Sequence, residues 1–373
     1  MSAPARASAV VDAGAVRRNS ARLAEELADG AELCAVVKAD GYGHGAAACA
    51  EAAIDGGASM LAVAAGAEAR GLRDAGLGAP ILTMGALTEP ELELALEAGS
   101  EVAVWERGFL DLVAARARAL GLIPRVHVKY DTGMGRLGER DPRAVAELLR
   151  AAAAEEHVEL AALWTHFATA DEPGSRYFDQ QLASFSELAQ AVRAEHPGLR
   201  LHAANSAAAV RERASHFDMV RCGIAIYGLD PFQEDPAARR LEPALELRSY
   251  VAAVKRFERG ASAGYGQSWR APRATSVGVV PAGYGDGVRR DLSNNGEALV
   301  GGRRYPIVGT VSMDNITLDL GPDTDVAIGD RVTLIGAQGA QRILCEEVAR
   351  RLGTINYEVT CGISSRVVRV PAG

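Results

Sequence analysis

The stretch Leu33-Cys-Ala-Val-Val-Lys-Ala-Asp-Gly-Tyr-Gly-His-Gly45 opens with five apolar residues, stops at a lysine and passes into a glycine-rich turn. An apolar run this short, bounded by a turn, reads as a buried strand. Seven more such runs follow, at Leu61–Ala64, Ile81–Met84, Val102–Trp105, Arg125–Val128, Ala161–Trp164, Leu201–Ala203 and Met219–Ile224. Segments of helical composition lie between them. Thr88 is placed to cap a helix through Glu91–Ala98 that Gly99 stops, and Asp141-Pro142 offers an N-cap and a first-turn proline for Arg143–Ala154. Eight strand–helix units in about 200 residues predict an α/β chain built on a closed (β/α)8 TIM barrel, with an open doubly wound sheet as the weaker choice.

After about residue 240 the pattern changes. Leu245–Phe257, Thr275–Val280, Glu297–Val300, Tyr305–Val308, Ile316–Leu320, Arg331–Ile335 and Val367–Val370 read as strands, with turns such as Asn295-Gly296 and Gly329-Asp330 between them. One helix, Cys345–Leu352, ends at Gly353. The expected division is a barrel over 14–240 and a mostly β C-terminal domain over 241–373, with Leu229–Pro243 as linker. Residues 1–13 hold a strand (Ser8–Asp12) that could join either domain, the β domain in the preferred reading.

The 373 residues suit two domains, and 48% hydrophobic with 24% charged residues describes a globular chain. A net charge of −8 gives no basic field to attract nucleic acid or an anionic membrane. Five scattered cysteines without a CxxC pair argue against a disulfide framework and a zinc site, and seven histidines show no metal-ligand spacing. Met1-Ser-Ala-Pro-Ala-Arg6 lacks a signal-peptide core, and no apolar run approaches the roughly 20 residues of a membrane helix. The expectation is a soluble cytoplasmic protein without a metal.

Working residues of such barrels sit just past the C-terminal ends of the strands. Those positions hold Lys38, Tyr42 and His44, then Lys129, Asp131 and Arg136, then His166, then Asn205 and Ser206, then Arg221 and Gly223. A lysine at the end of a buried strand is partly desolvated, which favours the nucleophilic amine; by position alone a strand-end lysine more often snorkels to solvent, but the glycine-rich turn after it lets the backbone approach a ligand closely. Arg136 suits a fork for an anionic group such as a carboxylate, or is a surface arginine. Ser206, with the N–H groups of Gly223 and Ile224, could bind phosphate after the last two strands, or Ser206 is simply a helix N-cap. Gly133, Gly135 and Gly138 form a GxGxxG, but the next helix starts only at Asp141-Pro142, so no helix N-terminus opens at the glycines and a dinucleotide site is rejected.

Ala35–Gly45 resembles the cofactor-lysine motif of bacterial alanine racemases, which are fold-type III pyridoxal phosphate enzymes. The likeness continues through Lys129–Gly138, Thr165–Asp171, His202–Ser206, Arg221–Gly228, Pro281–Gly287, Val308–Asp314 and Asn356–Val359, in the family's order and over nearly the whole chain. It implies that Lys38 carries pyridoxal 5'-phosphate as a Schiff base and serves as one catalytic base. Tyr265, in Ala263-Gly-Tyr-Gly266, would be the opposite base, contributed across a head-to-tail homodimer. Tyr42, Ser206, Gly223, Ile224 and Tyr357 would hold the phosphate. Arg136 and the Met313 N–H would hold the substrate carboxylate, with Lys129 a candidate for carbamylation beside Arg136. Arg221 would face the pyridine nitrogen, and an always-charged donor there weakens the ring as an electron sink. His166 would lie between Tyr265 and Arg221, and Tyr284 would line the entrance. His127, His202 and Cys222 read as structural.

The implied activity is interconversion of L- and D-alanine, supplying D-alanine for peptidoglycan. A broad-specificity or serine racemase is the nearest rival. A decarboxylase is disfavoured by Arg221, and a non-catalytic cofactor-binding barrel by residues 241–373. Unaided, Tyr265 and Tyr284 are turn tyrosines and His166 is a core histidine. Gly264 stands where the family often has serine, which would loosen that loop. Ser312 stands where cysteine is common and Gly285 where alanine is common, while Tyr130 is bulky for its site.

Overall fold

The computed structural model describes residues 5–372; Met1–Pro4, within the segment read for a signal peptide, and Gly373 lie outside them. The chain divides into two compact units, one spanning Val16–Ile226 and the other joining the residues up to Ala15 with those from Tyr227 onward. The first strand, β1 (Ser8–Val11), belongs to the second of these.

The unit Val16–Ile226 is the expected barrel. Its strands are β2 (Glu32–Val36), β3 (Ala58–Val63), β4 (Ile81–Thr83), β5 (Glu101–Val104), β6 (Arg125–Lys129), β7 (Glu159–Trp164), β8 (Arg200–His202) and β9 (Met219–Cys222). All pair in parallel with their sequence neighbours, and β9 returns to β2, so the sheet closes. All eight expected runs lie within a few residues of these strands. The eighth, Met219–Ile224, stops at Cys222, and Ile224–Tyr227 winds into a 3-10 turn. The expected caps form as well. Asp141 accepts the Arg143 N–H (2.9 Å) at the start of the helix Pro142–Ala154, and Thr88 makes a capping box with Glu91.

The other unit is mostly β. Its strands are β10 (Leu245–Tyr250), β11 (Ala253–Phe257), β12 (Ser262–Ala263), β13 (Trp269–Arg270), β14 (Thr275–Val280), β15 (Glu297–Val300), β16 (Arg303–Pro306), β17 (Ile316–Gly321), β18 (Arg331–Gln338), β19 (Gln341–Ile343) and β20 (Val368–Pro371). β1 pairs antiparallel with β10 and parallel with β20 in the larger sheet. The single strand expected over Leu245–Phe257 is two. At Val251-Ala252 the chain changes partners: the Val251 N–H donates to Asp330 in the β10 sheet and the Ala252 N–H to Val279 in the β11–β14–β17 sheet. Tyr305–Val308 is likewise displaced to Arg303–Pro306, and a second short helix, Asn356–Cys361, follows Cys345–Leu352.

The five cysteines form no disulfide, and burial pushes the Cys34, Cys49 and Cys222 thiols up to about 12, which leaves them inert. No helix among the described residues is long and apolar enough to cross a membrane.

Candidate active site

The lysine at the end of the opening stretch sits on an unusual backbone. The Val37 N–H donates to Ala62 (2.8 Å), the last tie to the neighbouring strand, and Lys38 follows, partly buried. Ala39, Asp40, Gly41 and Tyr42 then all take positive φ (51°, 52°, 62° and 51°), one turn of left-handed helix. For a non-glycine residue this conformation costs roughly 1–2 kcal/mol, so it persists only where surrounding bonds impose it. Glu68 accepts the Ala39 N–H (2.6 Å), Asp40 accepts the Ala46 N–H (2.9 Å), and the buried His44 ring lies 3.0 Å from the Gly41 and Tyr42 carbonyls. The glycines announced a close turn. Its hand was not legible, because Ala39 and Tyr42 have no preference for it.

That turn brings Tyr42 against Gly223 just beyond β9, where a Cβ on Gly223 would fall 2.4 Å from the Tyr42 hydroxyl. Ser206 Oγ accepts from the Gly223 N–H (3.0 Å) and more weakly from the Ala225 N–H (3.4 Å). Ser206 is not the helix cap. Asn205 takes that role by accepting the Ala208 N–H (3.0 Å), which leaves the buried serine to hold the β9 loop. Tyr42, Ser206, Gly223 and Ile224 thus meet in one small cradle of hydroxyls and backbone beside Lys38.

The loop after β6 carries Arg136. The Asp131 carboxylate accepts from the N–H groups of Gly133 (3.1 Å) and Gly135 (3.0 Å), and the chain closes behind the loop where Glu139 donates its N–H to Lys129 and accepts from Asp131. Gly133 has φ 140° against the Tyr177 hydroxyl and Gly138 has φ 124° against Asp131, so these glycines serve loop closure. No helix starts among them.

Around this rim four cations act on one histidine. Burial, followed by the charges of Arg221, Arg136, Lys129 and Lys38, holds the His166 imidazole well below its ordinary 6.5. Burial, followed chiefly by Arg136 and Arg221, lowers the Lys129 amine to about 8, against the opposing pull of Asp131. Lys129 Nζ and the Arg221 guanidinium carbon lie 4.5 and 4.8 Å from the Trp164 ring centre, cation–π contacts that sequence reading did not anticipate because Trp164 read as the last apolar residue of its run. The fully interior Arg221 donates Nη2–H to Thr165 (2.8 Å) and Ala203 (3.0 Å), with His166 Nδ1 at 3.2 Å, and Nη1–H to His202 (2.8 Å). Gln181, also missed, donates to Thr132 (3.1 Å) and to the His166 carbonyl (3.3 Å), tying the loops after β6 and β7 together. Four cations around one imidazole, with Asp131 beside Lys129, make an anion-seeking site.

Tyr265, Tyr284, Met313 and Tyr357 belong to the β-rich unit. There the first three ride on interlocked loops: Thr310 donates to the Tyr265 carbonyl (2.8 Å), Tyr284 N–H to Ser312 (3.0 Å) and Gly285 N–H to Met313 (2.9 Å). Arg366 clamps Asp314 (2.6 Å), and Arg6 pairs with the buried Asp286 (2.5 Å). Gly264 does not loosen this region. Its φ is 75°, and a Cβ there would fall 2.7 Å from the Thr310 nitrogen, so glycine permits the tight packing. Tyr265, Met313 and Tyr284 are 74%, 51% and 43% exposed, an uncovered group of large side chains held by rigid supports. Tyr357 lies partly buried in the helix Asn356–Cys361.

Residues 11–231 match the family model described as alanine racemase, N-terminal domain, and residues 244–371 the one described as alanine racemase, C-terminal domain. An alanine racemase of Symbiobacterium thermophilum is 43% identical over 98% of this chain and 97% of its own length. Among solved structures, the alanine racemase of a D-cycloserine-producing Streptomyces lavendulae superposes with a TM-score of 0.93 at 38% identity, covering 100% of this chain and 98% of that one. The alanine racemase of Bartonella henselae, solved with covalently bound pyridoxal phosphate, gives 0.87 at 28% identity over 99% and 100%.

His127 and His202 share the depressed basicity of His166, in each case through burial first. Well above pH 6.5 neither the folded nor the unfolded imidazoles hold a proton; as pH falls through 6.5 the unfolded chain binds protons that the native state refuses, so stability falls as the pH is lowered. The urea midpoint should therefore drop between about pH 6.5 and 5, and less steeply in His166→Gln, which removes one such group. An unchanged slope in that variant would show that His166 titrates normally.

Proposed function

From its membership of the alanine racemase family, we propose that this isomerase interconverts L- and D-alanine with pyridoxal phosphate held on Lys38, using Lys38 and a second copy's Tyr265 as opposed bases. The observation that carries the reading is the convergence of Lys38, Lys129, Arg136 and Arg221 on His166, a cationic mouth with a lysine amine inside it. The residues fit the group. Its phosphate suits the cradle of Tyr42, Ser206, Gly223 and Ile224, where Gly223 leaves room that any side chain would fill. When bound, pyridoxal phosphate supplies an electron sink for the pair left by a departing α-proton.

The chain's own groups do the rest. Lys38 Nζ takes or returns the α-proton on one face and the Tyr265 phenolic oxygen serves the other, because inversion needs a donor opposite the acceptor. Arg136 and the Met313 N–H hold the substrate carboxylate and so fix which bond to Cα is aligned. Lys129, whose amine is substantially neutral near its lowered value of about 8, is suited to carbamylation, which would give Arg136 an anionic neighbour. Arg221 offers N–H donors to the ring nitrogen and keeps it unprotonated. The exposed Tyr265, Tyr284 and Met313 support a head-to-tail homodimer in which each copy completes the other's site. We place the protein in the cytoplasm, feeding D-alanine to peptidoglycan; its free cysteines agree with a reducing compartment.

Borohydride reduction of the yellow holoenzyme should fix the cofactor mass on Lys38 in peptide mass spectra; a protein that takes up no pyridoxal phosphate overturns the reading. Tyr265→Phe should lower racemisation by about 100-fold or more while cofactor binding persists. Mixing it with the inactive Lys38→Ala protein should restore roughly a quarter of wild-type activity, because half the dimers are mixed and each regains one of two sites. No recovery would place both bases in one chain.

A further inference from the structure

A line of polar side chains, half-exposed at Arg125 and buried from Glu101 inward, crosses the barrel interior from the N-terminal ends of the strands to the site. Arg125, the first residue of β6, donates to Glu101 Oε1 (2.7 Å), the first residue of β5. Glu101 Oε2 meets His127 Nε2 (2.5 Å), His127 Nδ1 meets His202 Nε2 (2.9 Å), and His202 Nδ1 meets Arg221 Nη1 (2.8 Å). His127 and His202 are fully buried, and Glu101 and Arg221 nearly so.

Only one placement of protons satisfies every contact. An ionised carboxylate only accepts and a guanidinium only donates, so the two ends of the line are fixed. Glu101 requires the proton of His127 on Nε2. A neutral His127 then presents a bare Nδ1, which requires the proton of His202 on Nε2. His202 Nδ1 is left bare to accept from Arg221. A second proton on either ring would set two N–H groups face to face inside the barrel, and burial disfavours both charged imidazoles.

We propose that Glu101 is a positioning residue for the racemase reaction: through the enforced tautomers of His127 and His202 it holds an acceptor against Arg221 and so sets how that guanidinium meets the cofactor ring. The inference rests on the proposed function for the identity of the ring, but the tautomers themselves do not. With Nη2 committed to Thr165 and Ala203 and one Nη1–H to His202, Arg221 retains its Nε–H and a second Nη1–H for a ligand. Loss of the His202 acceptor would free the fork to turn.

The test uses holoenzyme labelled with 15N-histidine, read by NMR together with the visible absorbance of the cofactor. Wild type should show His127 and His202 as neutral Nε2–H tautomers. In Glu101→Gln, Arg125 claims the amide oxygen, so the NH2 group faces His127 Nε2 and reverses the relay; the His202 signals and the cofactor band should both shift, and kcat should fall about tenfold with KM for alanine little changed. Glu101→Asp, which keeps the carboxylate, should recover the wild-type tautomers. An Nδ1–H tautomer for either ring in wild type overturns the proposal, even if the variants fail to fold. So does Glu101→Gln with unaltered His202 signals and absorbance. Failure of the broader reading would look different: wild-type protein that neither takes up cofactor nor racemises alanine, whatever its histidine tautomers.

Discussion

A guanidinium inside a closed barrel must have its N–H groups matched by acceptors, because an unpaired buried charge is among the most costly features a fold can contain. Arg221 is such a group. Burial lowers it only to about 10, so it stays charged at neutral pH and the surrounding structure has to accommodate it. The carbonyls of Thr165 and Ala203, one residue past β7 and β8, accept from it, and His202 turns its bare nitrogen toward it. The polar line runs beside apolar packing such as the cluster of Cys34, Val36, Met60, Ala62, Leu82 and Met219. That line leads from the N-terminal ends of the strands to the site, and both the proposed ring partner and its remote support lie on it.

The remaining cations follow a complementary logic. Lys38 and Lys129 stand at strand ends and Arg136 on the loop after β6, near Arg221, with Asp131 a carboxylate beside Lys129 that also accepts the N–H groups shaping its own loop. Such a concentration of like charge is unfavourable until anions arrive, which makes phosphate and carboxylate binding the natural way to stabilise the mouth. The left-handed turn from Ala39 to Tyr42 is a second local cost at the same place. Its outcome is useful: it carries the Tyr42 hydroxyl to Gly223, where the phosphate cradle is proposed.

Much of this was legible in the sequence, for identifiable reasons. Barrel strands are short apolar runs punctuated by helix caps, so period and punctuation located them, and the rim rule then pointed to Lys38, Arg136, His166, Ser206 and Arg221. The β-rich unit was read less well where one run serves two sheets: nothing in Leu245–Phe257 marks the exchange of partners at Val251-Ala252. Glu101 was invisible because a glutamate just ahead of an apolar run looks like a solvated strand end. His127 and His202 were read as structural. Their role depends on which nitrogen of each ring faces which neighbour, and that is fixed only when β5, β6, β8 and β9 are brought together. The left-handed turn was hidden for a similar reason, since one of the bonds that hold it comes from Glu68, distant in sequence.

The β-rich unit carries Tyr265 on loops that Thr310, Arg366 and Asp286 hold in place, while the barrel carries Lys38 on a strand end backed by the closed sheet. Each proposed base is thus mounted on a braced support, as inversion at a single carbon would require. The most direct measurement follows the α-hydrogen when L-alanine and the holoenzyme are mixed in D2O. D-Alanine formed in the first turnovers should carry deuterium at Cα while the remaining L-alanine is still largely protiated, because the proton removed on one face is not the one returned on the other. D-Alanine that retains the original protium, or no D-alanine at all, would contradict the account.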